Sequence, residues 1–271
     1  MGLLRFPRKA AGALLREAAG ALASLFFPAP CRICEKPLLT ASRLPICRDC
    51  LDSLREIIGP LCALCGRPFI SPVAGEVPQP LCGYCRRGLY HFDLARSYGA
   101  YDDAMVRAIT LLKYSAVTPL GHWFAARLAE LVARQPELFA ADVVVPVPLH
   151  PTRLRERGYN QAELIARPLA RRLRLPCRSF LLVRTRPRPN KLKLTRHERW
   201  ETVRGAYATR HGVRVDNLRV LLVDDVFTTG ATLDSCARAL RAAGAARVAG
   251  LTVARVVSNV WQPNLAREVV L

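Results

Sequence analysis

Residues 220–232 read Val-Leu-Leu-Val-Asp-Asp-Val-Phe-Thr-Thr-Gly-Ala-Thr, and they combine two chemistries suited to a sugar phosphate. Asp224 and Asp225 are adjacent carboxylates, able to accept hydrogen bonds from two neighbouring sugar hydroxyls. Thr228, Thr229, Gly230, Ala231 and Thr232 form a run of small and hydroxyl residues ahead of a helical pattern over 233–242. A loop opening a helix presents free backbone N–H groups and a partly positive dipole end, so it binds phosphate. Small side chains let the phosphate approach, and the threonine hydroxyls add donors. Together these parts fit a ribose 5-phosphate. The acidic strand of a P-loop NTPase is excluded, because that site needs G-x-x-x-x-G-K-[ST] and no lysine here follows a glycine. The dinucleotide fingerprint G-x-G-x-x-G is absent as well. The remaining alternative is an ordinary strand-to-helix turn with two solvated aspartates.

Eight of the ten cysteines fall in Cys-x-x-Cys pairs: Cys31/Cys34, Cys47/Cys50, Cys62/Cys65 and Cys82/Cys85. Two residues between thiols let both sulfurs point into one tetrahedral site from a tight turn, and a second pair closes it. Gly66 and Gly83, beside Cys65 and Cys82, suit such turns. Sequential pairing gives one or two four-cysteine zinc sites, one if a site is degenerate, and an interleaved arrangement is the alternative. Disulfides, thioredoxin-like redox chemistry and an iron–sulfur cluster compete with zinc, but repeated paired turns without a βαβ context favour zinc. Four thiolates leave no open coordination position, so the zinc is expected to be structural. Cys177 and Cys236 stand alone, and Cys236 is expected to be packed rather than reactive.

Stepping outward to the elements that hold these groups, Val220 to Val223 suit a strand buried on both faces, which ends at the two carboxylates. A second strand over 141–147 runs into Pro146-Val147-Pro148-Leu149-His150-Pro151. Arg153, Arg155 and Arg157 come next, then a helix from about 160 to 173. In an α/β sheet, ligands gather beyond the carboxyl ends of strands, so Leu149, His150 and Arg157 are candidates for the same ligand. A lone histidine is more often structural, and the arginines fit a solvated helix start equally well. Further elements are a strand over 94–101, a helix from Asp102 or Asp103 to about Tyr114, a helix from Pro119 to about Arg134, and a strand over 248–253. Thr195 and Glu198 match a capping box. The proline-broken basic residues before it read as a loop able to close over an anionic ligand.

The net charge is +20. Between Pro151 and Arg214 there are 18 Lys and Arg against 4 Asp and Glu, a net of +14. That stretch favours an anionic partner, a polyphosphate or a nucleic acid; an arginine-rich solvated surface accounts for part of it. Stacking aromatics there are few, namely Tyr159, Trp200 and Tyr207. No run of eighteen apolar residues exists, so no transmembrane helix is expected. Residues 9–27 read as an amphipathic helix rather than a signal peptide. The expected organisation is an N-terminal helical segment over 1–28, a double zinc ribbon over 29–90, and a parallel-sheet α/β domain over 91–271.

The loop from Asp224 to Thr232 resembles the phosphoribosyl pyrophosphate (PRPP) loop of type I phosphoribosyltransferases. The paired-cysteine N-terminus, Val-Pro-Val-Pro-Leu-His, Arg-Glu-Arg-Gly-Tyr-Asn-Gln at 155–161 and the Asp224 loop, in that order, resemble the ComF family (GntX-type, competence protein F). The resemblance implies a double zinc ribbon joined to a phosphoribosyltransferase-type domain in a bacterial cytoplasm. It implies that Asp224 and Asp225 hold the ribose hydroxyls, and that Thr228 to Thr232 wrap the 5-phosphate. On this reading PRPP, with magnesium on its pyrophosphate, spans both loops, and Leu149, His150 and Arg157 lie on the pyrophosphate side. It further implies a link to natural transformation, with single-stranded DNA and a helicase as partners. The basic loop departs from the family pattern at Asn190 and at Glu201-Thr202. Two functions follow: a phosphoribosyltransferase with an unknown acceptor, or a non-catalytic module binding single-stranded DNA or a protein partner on the same fold.

Overall fold

A computed structural model describes residues 29–38, 42–69, 79–187 and 195–257. The amphipathic helix expected over 9–27, the middle of the proline-rich stretch after Pro68, and residues 188–194 of the basic loop lie outside them. The chain divides into two compact units, Met1–Leu54 and Arg55–Leu271, so the division falls inside the stretch 29–90.

In the first unit, Cys31 and Cys34 sit on one tight turn. A short helix, α1 (Arg48–Ser53), starts immediately after Cys47 and carries Cys50 on its buried side. In the second unit the turn Cys62–Cys65 is followed by α2 (Gly83–Arg86), which starts after Cys82 and buries Cys85. Each cysteine pair therefore supplies one turn or one helix start, as two-residue spacing requires.

The rest of the second unit is built on a four-stranded, all-parallel sheet. Its strands are β1 (Leu94–Ala100), β2 (Val143–Pro146), β5 (Arg219–Phe227) and β6 (Arg247–Arg255), in the order β1-β6-β5-β2. Val220 to Val223 are at most 1% exposed, as expected of a central strand covered on both faces. Leu233, Cys236, Ala237 and Leu240 of α8 (Ala231–Ala242) share one apolar cluster with Val143, Val145, Val220, Leu222 and Val248. On the sheet's other side, α4 (Pro119–Arg134) packs on β1 and β6, and α6 (Gln161–Leu173) on β2 and β5. A hairpin, β3 (Leu182–Arg184) with β4 (Tyr207–Thr209), lies beside α8 and carries α7 (Arg196–Val203) between its strands.

Caps explain where the helices begin. Asp102 accepts from the Met105 N–H at the start of α3 (Asp103–Tyr114). Thr195 and Glu198 close the expected capping box on α7. Asn160 caps α6 through Ala162 N and donates to Val147 O, which ties this helix to the end of β2. Two differences from the sequence reading concern the site directly. First, β5 does not end at the carboxylates but runs through Asp224 and Asp225 to Phe227, because Asp224, Val226 and Phe227 remain paired with β6. Second, a separate helix, α5 (Pro151–Arg157), precedes the one expected from about 160; Pro151 sits at its first turn, where proline is tolerated, and Gly158 at φ 79° ends it.

The helices α4 and α6 meet backbone to side-chain base at Gly121, where an added Cβ would lie 2.5 Å from Leu164 O. Gly121→Ala is expected to lower stability by about 1–3 kcal/mol through forced separation of the two helices. Chemical denaturation of the two proteins at one pH measures it.

Candidate functional site

Consecutive strand residues point to opposite faces, and this alternation separates the two carboxylates. Asp225 faces α3, where Lys113 Nζ lies 3.0 Å from its Oδ1. Asp224 faces α8 and the hairpin, where Cys236 and Arg184 share its electrostatic neighbourhood. Both are nearly closed off from solvent, at 8% and 5% exposure. Asp224 Oδ1 accepts from Asp225 N at 2.8 Å. Among the described residues, Asp225 Oδ2 is buried without a hydrogen-bond partner. An acceptor oxygen in that state is costly unless a donor arrives.

Burial, and next the neighbouring charge of Asp225, push the Asp224 carboxyl up to about 7; its bond from Asp225 N and the charges of Lys113 and Arg184 oppose the rise. Burial, the largest single influence, would lower the Lys113 ammonium, but the charge and hydrogen bond of Asp225, with the charges of Asp224 and Tyr101 added, make the net direction up. Lys113 is a site residue that sequence reasoning missed. It is one of five lysines in an arginine-rich chain, and it follows two buried leucines on α3; that pattern was its signal.

Beyond Phe227 the chain turns through Thr228 and Thr229 to Gly230, at φ 84°, and α8 begins at Ala231. Ala231 N donates to Thr229 Oγ1. The first intrahelical bond runs from Asp234 N to Gly230 O, so the N–H groups of Thr232 and Leu233 have no acceptor within the helix. Gly230 is required twice over: its φ suits glycine, and a Cβ there would meet Phe227 Cζ at 2.6 Å and Tyr90 Cε1 at 2.7 Å.

The segment Val147–His150 leaves β2 alongside β5, with Val147 N donating to Val223 O, and so emerges next to Asp224. Leu149 and His150 therefore reach the carboxyl edge of the sheet. His150 Nδ1 accepts from Thr152 N and caps α5. Arg157 is already engaged: it hydrogen-bonds Gln161 and lies over the Tyr114 ring, 4.9 Å from its centroid. Tyr159 Oη donates to Leu112 O, one residue before Lys113. The segment Arg157 to Gln161 thus fixes the end of α3 and the start of α6 around the acid pair.

The eight paired cysteines form two clusters, Cys31/Cys34/Cys47/Cys50 and Cys62/Cys65/Cys82/Cys85, each with its sulfurs within 4.8 Å of one another. This is the sequential pairing. Cys34 to Cys47 is 3.6 Å, Cys65 to Cys82 3.7 Å and Cys82 to Cys85 3.6 Å. With Zn–S at about 2.3 Å, a tetrahedron has edges of about 3.8 Å, so both donor sets fit a structural zinc ion. Each cluster also repeats one supporting contact: Cys47 N donates to Cys31 Sγ, and Cys82 N to Cys62 Sγ. Such bonds favour the thiolate form that a metal needs. Cys236 is fully buried among α8's apolar neighbours, where burial pushes its thiol well up. Among the described residues no helix is long and apolar enough to cross a membrane.

Residues 22–86 match the family described as a double zinc ribbon domain, and residues 160–259 match the phosphoribosyl transferase domain. The chain is 30% identical over 227 residues to the DNA utilization protein YhgH of Salmonella typhi, covering 83% of this chain and 96% of that one. It is 29% identical over 218 residues to the competence protein ComFC of Bacillus subtilis, covering 78% and 84%. Adenine phosphoribosyltransferase from Leishmania tarentolae aligns over 52% of this chain and 74% of that one, with 18% identity and a TM-score of 0.31. The class so defined is a double zinc ribbon joined to a phosphoribosyltransferase-type domain. Within it, this chain belongs to the ComF family, together with YhgH and ComFC.

A carboxyl raised above its unfolded value binds more protons folded than unfolded, so its contribution to stability falls as pH rises from about 4 to about 7. Asp224→Asn is expected to remove that part of the slope, seen by comparing denaturation midpoints of the two proteins across this window. Lys113→Met strands the Asp225 charge in an apolar site. It is expected to cost about 3–5 kcal/mol at pH 8, with part of the loss recovered in the double variant Lys113→Met/Asp225→Asn.

Proposed function

We propose that the chain binds PRPP, or another ribose 5-phosphate ligand, across Asp224–Thr232, and that it serves DNA uptake as the names of its ComF relatives suggest. The observation that carries this reading is the buried acid pair of β5, followed at Gly230 by a helix start whose N–H groups at Thr232 and Leu233 have no intrahelical acceptor. Asp224 and Asp225 would accept from the ribose hydroxyls, the unpartnered Asp225 Oδ2 being one acceptor. Thr228, Thr229, Gly230, Ala231 and Thr232 would surround the 5-phosphate with amides and hydroxyls at the positive end of the α8 dipole. Leu149, His150 and Arg157 would face the pyrophosphate, and magnesium bound with PRPP would offset its charge.

The reaction this site fits is pentosyl transfer to a nitrogen base. A bond forms between that nitrogen and C1 of the ribose. The C1–O bond breaks with its electron pair going to the departing pyrophosphate, and the nitrogen gives its proton to solvent. Positive charge developing on the ribose is stabilised by carboxylates already in place, which is electrostatic preorganisation. Asp225, with Lys113 Nζ 3.0 Å from its Oδ1, is suited to that task.

Titration of PRPP with magnesium into the zinc-loaded chain is expected to give saturable binding. Asp224→Asn/Asp225→Asn is expected to weaken it at least about tenfold, the loss of two charge-assisted hydrogen bonds. Pyrophosphate release in a screen of bases then identifies the acceptor. Unchanged PRPP affinity in the double variant overturns this reading. Binding of single-stranded DNA that survives in that variant and weakens steeply with salt would instead assign the work to the basic stretch over 151–214.

A further inference from the structure

The second four-cysteine site has neighbours that a free-standing zinc ribbon does not need. Its first turn is fastened to the sheet edge from below. Ala95 N of β1 donates to Leu64 O at 2.7 Å, and Arg96 donates through one guanidinium nitrogen to Ala63 O at 2.9 Å and through the other to Ala95 O at 2.8 Å. Arg255, at the end of β6 and 1% exposed, donates to Cys65 O at 2.6 Å. The buried Arg255 and the half-buried Arg96 thus lie beside one thiolate cluster. A zinc ion with four thiolates carries a net charge of −2, which these two cations offset.

The same groups lead directly to the phosphate loop. The Arg255 guanidinium lies over the Phe227 ring, 4.8 Å from its centroid, and Phe227 is the last residue of β5 before the loop. The chain leaving Cys85 turns at Gly88 and lays Tyr90 against the loop from the other side. Tyr90 Oη donates to Thr229 O at 2.9 Å, and its ring stacks on Phe92 at 4.7 Å and meets Phe227 edge-on at 6.3 Å. His91 N donates to Asp234 Oδ1 at 2.6 Å, inside the first turn of α8. Gly230 is held between Phe227 and Tyr90 so closely that no Cβ fits. Thr229 O therefore points away from the site to Tyr90, which fixes the orientation of the peptide that carries the Gly230 N–H.

We infer that Tyr90, with Phe227 and Arg255 behind it, is a positioning residue for the phosphate loop, and that the second four-cysteine site holds it there, so metal occupancy of that site and binding of a 5-phosphate strengthen each other. This inference rests on the ribose 5-phosphate reading of the loop. The first four-cysteine site, in a separate compact unit, has no part in the coupling. By linkage, whatever factor zinc adds to phosphate affinity, phosphate adds to zinc affinity.

The probe is ribose 5-phosphate, added to the full zinc-loaded chain. Tyr90→Phe keeps the stacked ring and deletes the bond to Thr229 O; it is expected to weaken ribose 5-phosphate binding about fivefold, the size of one hydrogen bond. Zinc affinity is measured by competition with a chromophoric chelator in the chain carrying Cys31→Ser and Cys34→Ser, so that only the second site is read. Saturating ribose 5-phosphate is expected to raise that affinity several-fold, and Tyr90→Phe is expected to reduce the gain. A merely structural tyrosine would leave this gain unmoved. Equal ribose 5-phosphate affinity in Tyr90→Phe and the parent, or a second-site zinc affinity indifferent to ribose 5-phosphate, overturns the coupling while leaving the site reading intact. No binding of ribose 5-phosphate or PRPP by the parent chain removes the site reading and the coupling with it.

Discussion

Two adjacent carboxylates buried within an apolar β-strand are the constraint around which the second unit is arranged. Desolvating one carboxylate is expensive, and desolvating two side by side adds their mutual repulsion. The strand alternation sends them to opposite faces, and each face answers differently. On the α3 side, Lys113 supplies a full counter-charge to Asp225 at 3.0 Å. Asp224 has the Asp225 N–H and the charges of Lys113 and Arg184 in its favour, but burial and the charge of Asp225 outweigh them and push its carboxyl up. The pair thus settles with Asp225 beside a counter-ion and the Asp224 carboxyl pushed up to about 7.

Supplying Lys113 is what the surrounding helices accomplish. Its ammonium must be held inside the fold against a strong preference for water. The end of α3 is fastened by Tyr159 to Leu112 O, and Arg157 lies over one face of the exposed Tyr114 ring. Asn160 then fixes the start of α6 to the end of β2, on the strand neighbouring β5. A motif that reads as ligand-contacting in the sequence is therefore occupied, in good part, with holding the acid pair's counter-ion and the strand edges in register. The same economy holds at the far side of the loop, where Arg96 and Arg255 satisfy knuckle carbonyls and face the thiolate cluster at once.

Much of this was legible in residue order because the signals are local. Four apolar residues before an acid pair specified β5, and Asp102, Asn160 and the Thr195–Glu198 box specified helix starts through bonds that span two or three positions. Cys-x-x-Cys spacing likewise specified both metal-type clusters, though not which pairs combine, since that choice depends on the path of the chain between them. The rest was hidden because it is made of long-range partners. Tyr90 and Thr229 are 139 residues apart, and Arg255 and Cys65 are 190; nothing in either neighbourhood marks them. The end of β5 was misplaced for a related reason: carboxylates usually stop a strand, and here pairing with β6 and the counter-charge of Lys113 let the strand continue. Helix α5 was obscured by the prolines around it, although Pro151 occupies a first-turn position that tolerates the ring.

The acid pair and the proposed phosphate loop also set an electrostatic gradient along one short path. Carboxylates at residues 224 and 225 would repel a phosphate placed beside them, whereas the α8 start, with unbonded N–H groups at Thr232 and Leu233, attracts one. Five residues, Val226 to Gly230, separate the acid pair from the first residue of α8 and carry no charge. A ligand bearing hydroxyls at one end and a phosphate at the other satisfies both; a free phosphate satisfies only one, and a neutral sugar only the other. That discrimination needs the loop to stay open at a fixed distance from the acids. Phe227 and Tyr90 press against Gly230 from two sides and constrain the path of the loop there.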